Sequence, residues 1–349
     1  MEEIVNYYAG GNTAKGFVHF FESNFQELER LLILKGGPGT GKSTLMKKIG
    51  KEWQDEGYAV EWIHCSADVG SVDAVIIPAL KAGIVDGTSP HIIEPSLPGI
   101  VDDYVNLGVA WDREKLIPHK KNIQRVNKAL KESYRHAYSY LQKAFVLFNE
   151  EKEKLKKDVP EKVRNEIMEW TDTLLPKREK EQTPVVKHRY YRAFTPDGYH
   201  HFAEDLLGAV EKRIFLTGSF TISEILENIA RIGIKQGYDV HLYHHALNPD
   251  LVEMVVFPEV DVVFFDHTFF TDKISAQKTD EWITLGEVTL ENKEQIVHEI
   301  EKATEFLAQT SKLRSELEGY YIGAMDFTIV DQIGKEISEE LKRLKIDET

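Results

Sequence analysis

Apolar and polar positions along the chain follow two alternating periods. Leu31-Leu32-Ile33-Leu34 is a short unbroken apolar run, as expected of a buried strand, and Thr44 to Trp53 carries the three- and four-residue spacing of a helix. Val60 to Ile63 reads as a second strand. Further on, Ile123, Val126, Leu130, Tyr134, Ala137, Leu141, Ala144 and Phe148 mark one long amphipathic helix. Pro160 interrupts it, and a shorter helix through Val163, Ile167 and Trp170 completes a hairpin expected over about residues 113–176. Strands over Val240 to Tyr243 and Val260 to Phe265 repeat the succession, and helices over Ile296 to Leu317 and Ile329 to Leu344 form a second hairpin over about residues 293–345. Strands alternating with helices predict an α/β fold, a three-layer parallel sheet covered on both faces.

The recurrence is a tandem duplication. Gly57-Tyr58-Ala59-Val60 lies over Gly237-Tyr238-Asp239-Val240 at an offset of 180 residues, which also superposes Val72 to Pro78 on Val252 to Pro258 and Val85-Asp86-Gly87-Thr88 on Phe265-Asp266-His267-Thr268. Upstream, Thr13 to Phe20 matches Thr195 to Phe202 at 182; downstream, Asp102 to Gly108 matches Asp280 to Gly286 at 178. Ordered blocks with slowly drifting offsets indicate a repeat with small deletions. Two units follow: residues 1–182 and 183–349, joined by the charged run Lys177 to Gln182.

Between the first strand and helix stands Gly36-Gly37-Pro38-Gly39-Thr40-Gly41-Lys42-Ser43, a full GxxxxGK[ST] phosphate-loop motif in the strand, loop and helix context it requires. Glycines let backbone N–H groups turn toward phosphates, and the helix start behind them adds its positive end. Gly37 to Thr44 are thus the candidate nucleotide-binding residues. Lys42 is expected on the β- and γ-phosphates, and the Ser43 hydroxyl on Mg²⁺. In the second copy this stretch reads Gly218-Ser219-Phe220-Thr221-Ile222-Ser223-Glu224, two residues shorter, without lysine and with bulky apolar residues. One competent site in the first half and a structural or regulatory second half are expected.

Asp86 closes the run Ala82 to Val85 at a strand end, where a carboxylate would hold Mg²⁺ with Ser43. Its duplicate Asp266 persists beside a degenerate loop, so a side-chain turn of Asp-x-Thr is the alternative to the metal role. For the catalytic carboxylate, Asp68 after the second strand and Glu94 are the candidates. Thr88 and His91 would sit over the phosphates if the strand reading holds, with His91 either on the γ-phosphate or, as a surface histidine, free of it. The segment Ala9-Gly10-Gly11-Asn12-Thr13-Ala14-Lys15-Gly16 could fold against the ligand or simply turn. Arg189, Arg192 and Arg213 are the cations the second half could supply.

Bulk composition narrows the partners. A net charge of −15 argues against a general polyanion surface, so nucleic acid is not expected. No apolar run approaches a membrane span, the start lacks a signal-peptide pattern, and the single cysteine, Cys65, excludes an intrachain disulfide. A cytoplasmic protein without membrane contact is the expectation.

Ala9 to Gly16, Lys35 to Thr44 and Asp86-Gly-Thr-Ser-Pro-His91 with the later Pro98-Gly99 resemble a poorly characterised family of tandem phosphate-loop ATPases of bacteria and archaea, over nearly the whole chain. The resemblance implies two phosphate-loop domains and ATP binding, with no substrate to carry over. Similar members often keep a second phosphate loop, from which Gly218 to Glu224 departs. The sequence thus predicts slow Mg²⁺-dependent ATP hydrolysis at one site. A small-molecule kinase, or a nucleotide-gated scaffold for an unknown protein partner, are the alternatives.

Overall fold

The computed structural model describes residues 4–155, 160–178, 183–208, 210–218, 222–268, 274–286 and 289–347. The first half holds strands β1 (Ile4–Tyr7), β2 (Gly10–Thr13), β3 (Gly16–His19), β4 (Arg30–Lys35), β5 (Val60–His64), β6 (Val72–Ile77), β7 (Ala82–Asp86) and β8 (Asp102–Asn106). Its helices are α1 (Phe21–Phe25), α2 (Lys42–Asp55), α3 (Arg113–Leu116), α4 (Lys120–Leu155) and α5 (Glu161–Leu174). The second half holds β9 (Val186–Arg189), β10 (Arg192–Thr195), β11 (Gly198–His201), β12 (Lys212–Thr217), β13 (Val240–His244), β14 (Val252–Phe257), β15 (Val262–Asp266) and β16 (Glu281–Thr284). Its helices are α6 (Ala203–Gly208), α7 (Ile222–Gln236), α8 (Lys293–Ile322) and α9 (Phe327–Asp347).

Each half builds one six-stranded sheet, in the order β1-β5-β6-β7-β4-β8 and, strand for strand, β9-β13-β14-β15-β12-β16. The fully parallel sheet expected from the sequence is corrected here: β6 and β14 run antiparallel to both neighbours, and the other pairings are parallel. The connections explain it. Residues 65–71 and 78–81 are too few for the crossover a parallel neighbour needs, so the chain can only reverse.

Alternation along β4 divides the core. Leu32 and Leu34 face outward into a cluster with Met46, Ile49 and Trp53 of α2, while Leu31 and Ile33 face inward. On the inner side Tyr7, Phe21, Ile33 and Val85 share one apolar core with Tyr191, Leu207, Phe215 and Phe265 of the second half. At its edge Tyr8 and Tyr190, equivalent residues of the two copies, exchange backbone hydrogen bonds of 2.9 and 2.8 Å. The halves are therefore related by an approximate two-fold passing near this pair.

The helices do not stay with their own halves. In place of a hairpin within each copy, α4 and α8 lie antiparallel against each other, tied by Arg125 to Glu316, the Ser133 hydroxyl to the Phe306 carbonyl (2.9 Å) and Asn292 to Glu151 (2.8 Å). Val330, Ile337 and Leu341 of α9 complete the outer core of the first half, and Ile167 of α5 that of the second. Pro160 stands immediately before α5, as expected; residues 156–159, and residues 179–182 of the expected linker, lie outside the described residues. Among the described residues no helix is long and apolar enough to cross a membrane.

Candidate functional site

β4, β5 and β7 end on the same edge of the first sheet, and antiparallel β6 begins there. At that edge α4 and α8 close over a cavity of about 1400 Å³. Its floor is the glycine-rich loop: residues 36–44, among them Gly37, Pro38, Gly39, Thr40, Gly41, Lys42, Ser43 and Thr44, all line it. Two backbone positions make the loop possible. Gly39 (φ 69°) and Gly41 (φ 84°) adopt left-handed conformations that side chains resist. At Gly39 a Cβ would also come within 2.9 Å of Ile322 and 3.1 Å of the Glu318 carbonyl on α8.

Lys42 opens α2 and its ammonium donates to the carbonyls of Gly36 (3.0 Å) and Gly37 (2.8 Å), with a carboxylate oxygen of Asp86 at 3.6 Å. The Thr40 hydroxyl donates to the Gly37 carbonyl at 2.9 Å. Asp86 makes the side-chain turn that the sequence allowed, one oxygen accepting from the Thr88 amide (2.9 Å) and hydroxyl (2.5 Å), while its other oxygen faces Lys42. Asp68 lines the cavity but is engaged in its own loop, accepting from the Ser71 hydroxyl at 2.5 Å. Thr88 and His91 line the cavity, His91 as a buried rather than a surface histidine, as do Asn12, Lys15 and Gly16, whereas Gly10 backs the ring of Phe17. Glu94 points away, accepting from the Tyr104 hydroxyl on the outer strand.

The three arginines proposed from the second half are corrected. Arg189 pairs with Glu61 (2.7 Å), Arg192 with Glu253 and Arg213 with Asp280 (2.7 Å), each guanidinium buried in structural work and none lining the cavity. The cation that does arrive from that half is Arg314 on α8, whose Nη2 donates to the Tyr134 hydroxyl at 3.0 Å.

Asp73 is the residue the sequence reading missed. It begins the inward side of β6, is 3% exposed, and one of its oxygens has no hydrogen-bond partner. His91 Nε2 lies 3.4 Å away, and the Cys65 thiol donates to the carboxylate. Burial raises its pKa, and the nearby Asp86 charge raises it further, against His91 and Arg314. Asp73 also sits one residue after Val72, whose amide donates to Ser43 Oγ at 3.0 Å. A signal existed: an acid inside the apolar run Val72 to Ile77, repeated as Glu253 in the second copy.

Those residues suit Mg²⁺ in the manner that ion prefers, with one or two carboxylates while phosphates and water supply the rest. Ser43 Oγ gives one lone pair to the Val72 amide and keeps a second for a metal ion, Asp86 keeps one oxygen turned to the loop, and Asp73, whose unbonded oxygen lies 3.4 Å from His91, lines the same cavity. Among the described residues there is no group of three or more His, Cys, Asp or Glu that could hold a metal ion.

The second copy shows what closure looks like. Arg192 stands where the first half has Gly10, Glu253 where it has Asp73 and Tyr199 where it has Phe17. Arg192 donates to Glu253 through Nε at 2.9 Å and through Nη2, and to the Tyr199 hydroxyl through Nη1 at 2.6 Å. An internal cation thus satisfies the carboxylate that the first half leaves facing a cavity. Ser223 repeats the Ser43 contact, accepting from the Val252 amide at 2.9 Å, while Phe220 of the shortened loop lies outside the described residues. No protein-family model, curated protein or solved structure matches this chain.

Proposed function

We propose that the first half binds ATP with Mg²⁺ at the glycine-rich loop and hydrolyses it slowly, and that the second half completes and reports on that one site. The observation that carries the reading is the open cavity in which the phosphate-loop residues, Lys42, Ser43, Asp86 and Asp73 converge, set against the second copy, where Arg192 pairs with the carboxylate equivalent to Asp73. Lys42 would leave its loop carbonyls for the β- and γ-phosphates, which replace those two backbone hydrogen bonds while Asp86 stays 3.6 Å from its ammonium in the free site. Bound Mg²⁺ would neutralise charge on the same phosphates, held by Ser43 and Asp86. Asp73, which lines the cavity with a raised pKa and has His91 3.4 Å from one oxygen, is the better-placed carboxylate to order the attacking oxygen than Asp68, which is spent on Ser71. ATP is preferred because the sequence has no guanine-reading motif. The tandem phosphate-loop ATPase family remains the kin this reading implies, and a cytoplasmic setting agrees with it.

A second reading, phosphoryl transfer to a small molecule, is favoured by one feature. The cavity exceeds the roughly 300–1,000 Å³ of ordinary small-molecule sites, and α4 presents it with Asn127, Lys131, Arg135 and Gln142. The test is Mg²⁺-dependent ATP binding and phosphate release by the purified chain beside Lys42→Ala. Release that disappears in the variant supports hydrolysis. Tight binding without release turns to the transferase, to be sought by screening acceptors. Absence of binding by the unaltered chain overturns both.

A further inference from the structure

Resting on that reading, we propose that Arg314 of α8 is a catalytic residue of the first half's site, a guanidinium supplied by the second half to the transferring γ-phosphoryl group. Three observations converge on it. First, α8 is seated on the glycine-rich loop itself: the Glu318 carbonyl and the Ile322 side chain lie where a Cβ on Gly39 would have to go. Arg314, one helical turn before Glu318, therefore reaches into the cavity beyond the loop. Second, its neighbours mark the γ end of the site. Its charge acts on Cys65 and Asp73, and Asp73 adjoins the amide that bonds Ser43. Third, it is poised rather than spent. Nη2 is held by the Tyr134 hydroxyl, Nε has no hydrogen-bond partner, and no carboxylate lies within ion-pair distance of it among the described residues.

An enclosed guanidinium with donors to spare, opposite a lysine on the loop, has the arrangement needed to stabilise charge on a phosphoryl group in flight. In hydrolysis the water oxygen bonds to the γ-phosphorus as the bond from that phosphorus to the bridging oxygen breaks. The bridging oxygen leaves with its electron pair on ADP, and the water yields hydrogen phosphate and one proton to solvent. Arg314 would bridge the equatorial oxygens during this exchange while Tyr134 of α4 fixes its orientation. Such a role also gives the second half a reason to persist without a site of its own.

Arg314→Ala and Arg314→Lys are to be compared with the unaltered chain in three measurements: ATP affinity, turnover, and trapping of ADP with aluminium fluoride, which imitates the transferring group. The expected result is near-unchanged ATP affinity, turnover lowered about 10³-fold in either variant, the lower end of the range for arginines of this kind, and loss of trapping. Added guanidinium should restore part of the Arg314→Ala turnover, which a purely structural role would not allow. Turnover or trapping within threefold of the unaltered chain in Arg314→Lys overturns the assignment, as does a loss that guanidinium leaves unmoved. A chain that binds no ATP at all fails earlier, at the phosphate-loop reading.

Discussion

Asp266 accepts from the Thr268 amide at 2.9 Å as Asp86 does from Thr88, but burial lifts its pKa to about 6 against the Thr268 bonds and Arg192. The folded chain then holds this proton more tightly than the unfolded chain, so stability is greatest below the ordinary carboxyl range and falls as pH rises through about 6. Asp266→Asn should remove that fall, gaining on the order of 3 kcal/mol at pH 7 relative to pH 4, since each unit is about 1.4 kcal/mol. Urea unfolding at both pH values checks it; parallel behaviour of the two proteins would refute it. Glu61 presents the opposite case. Burial works against its charge, yet Arg189, Lys187 and the Tyr7 hydroxyl hold its pKa below the ordinary value. Glu61→Gln strands Arg189 inside the protein and is expected to cost about 3–5 kcal/mol, read as a lower urea midpoint at unchanged slope. At this scale the loop residues, Lys42 and Asp86 were legible because their chemistry is local. Asp73 was written in the sequence as a misplaced acid, and Arg314 was not, because its reach depends on where a distant helix crosses.

Strands and helices were largely legible as elements, but their partners were not. The stripe along α4 from Val126 to Phe148 announced a helix with a buried face, and the same stripe fits a hairpin with α5 or a pairing with α8. Only the outer cores decide: Leu341 of α9 is fully buried beside α2, and Glu52 of α2 accepts from Ser338 of α9 at 3.2 Å. Leu341→Ala should therefore destabilise the first half's core, though the residue belongs to the second, by about 2–5 kcal/mol. Hydrogen exchange would locate the loss: amides of α2 should lose protection at least as much as those of α9. Loss confined to α9 would contradict the shared core. The antiparallel β6 escaped notice for a similar reason. Its apolar run resembles any buried strand, and direction is set by the short connections on either side.

At the scale of the molecule, the division at about residue 182 separates the copies in sequence but not in packing. Residues 1–182 carry α5, which covers the other sheet, and lack α9, which covers their own. Separate fragments 1–182 and 183–349 are expected to fold poorly alone and to recover native circular dichroism when mixed, eluting as one 1:1 complex. Cooperative unfolding of either fragment as a monomer would count against this. The meeting of Tyr8 with Tyr190 adds a further consequence. When two separate but identical chains meet across a two-fold axis, any substitution is made twice, so neither cavity can change without the other. Carrying both copies in one chain breaks that bond: Arg192 can neutralise Glu253 in one copy while Gly10 leaves Asp73 without such a partner in the other, so each copy is free to change alone.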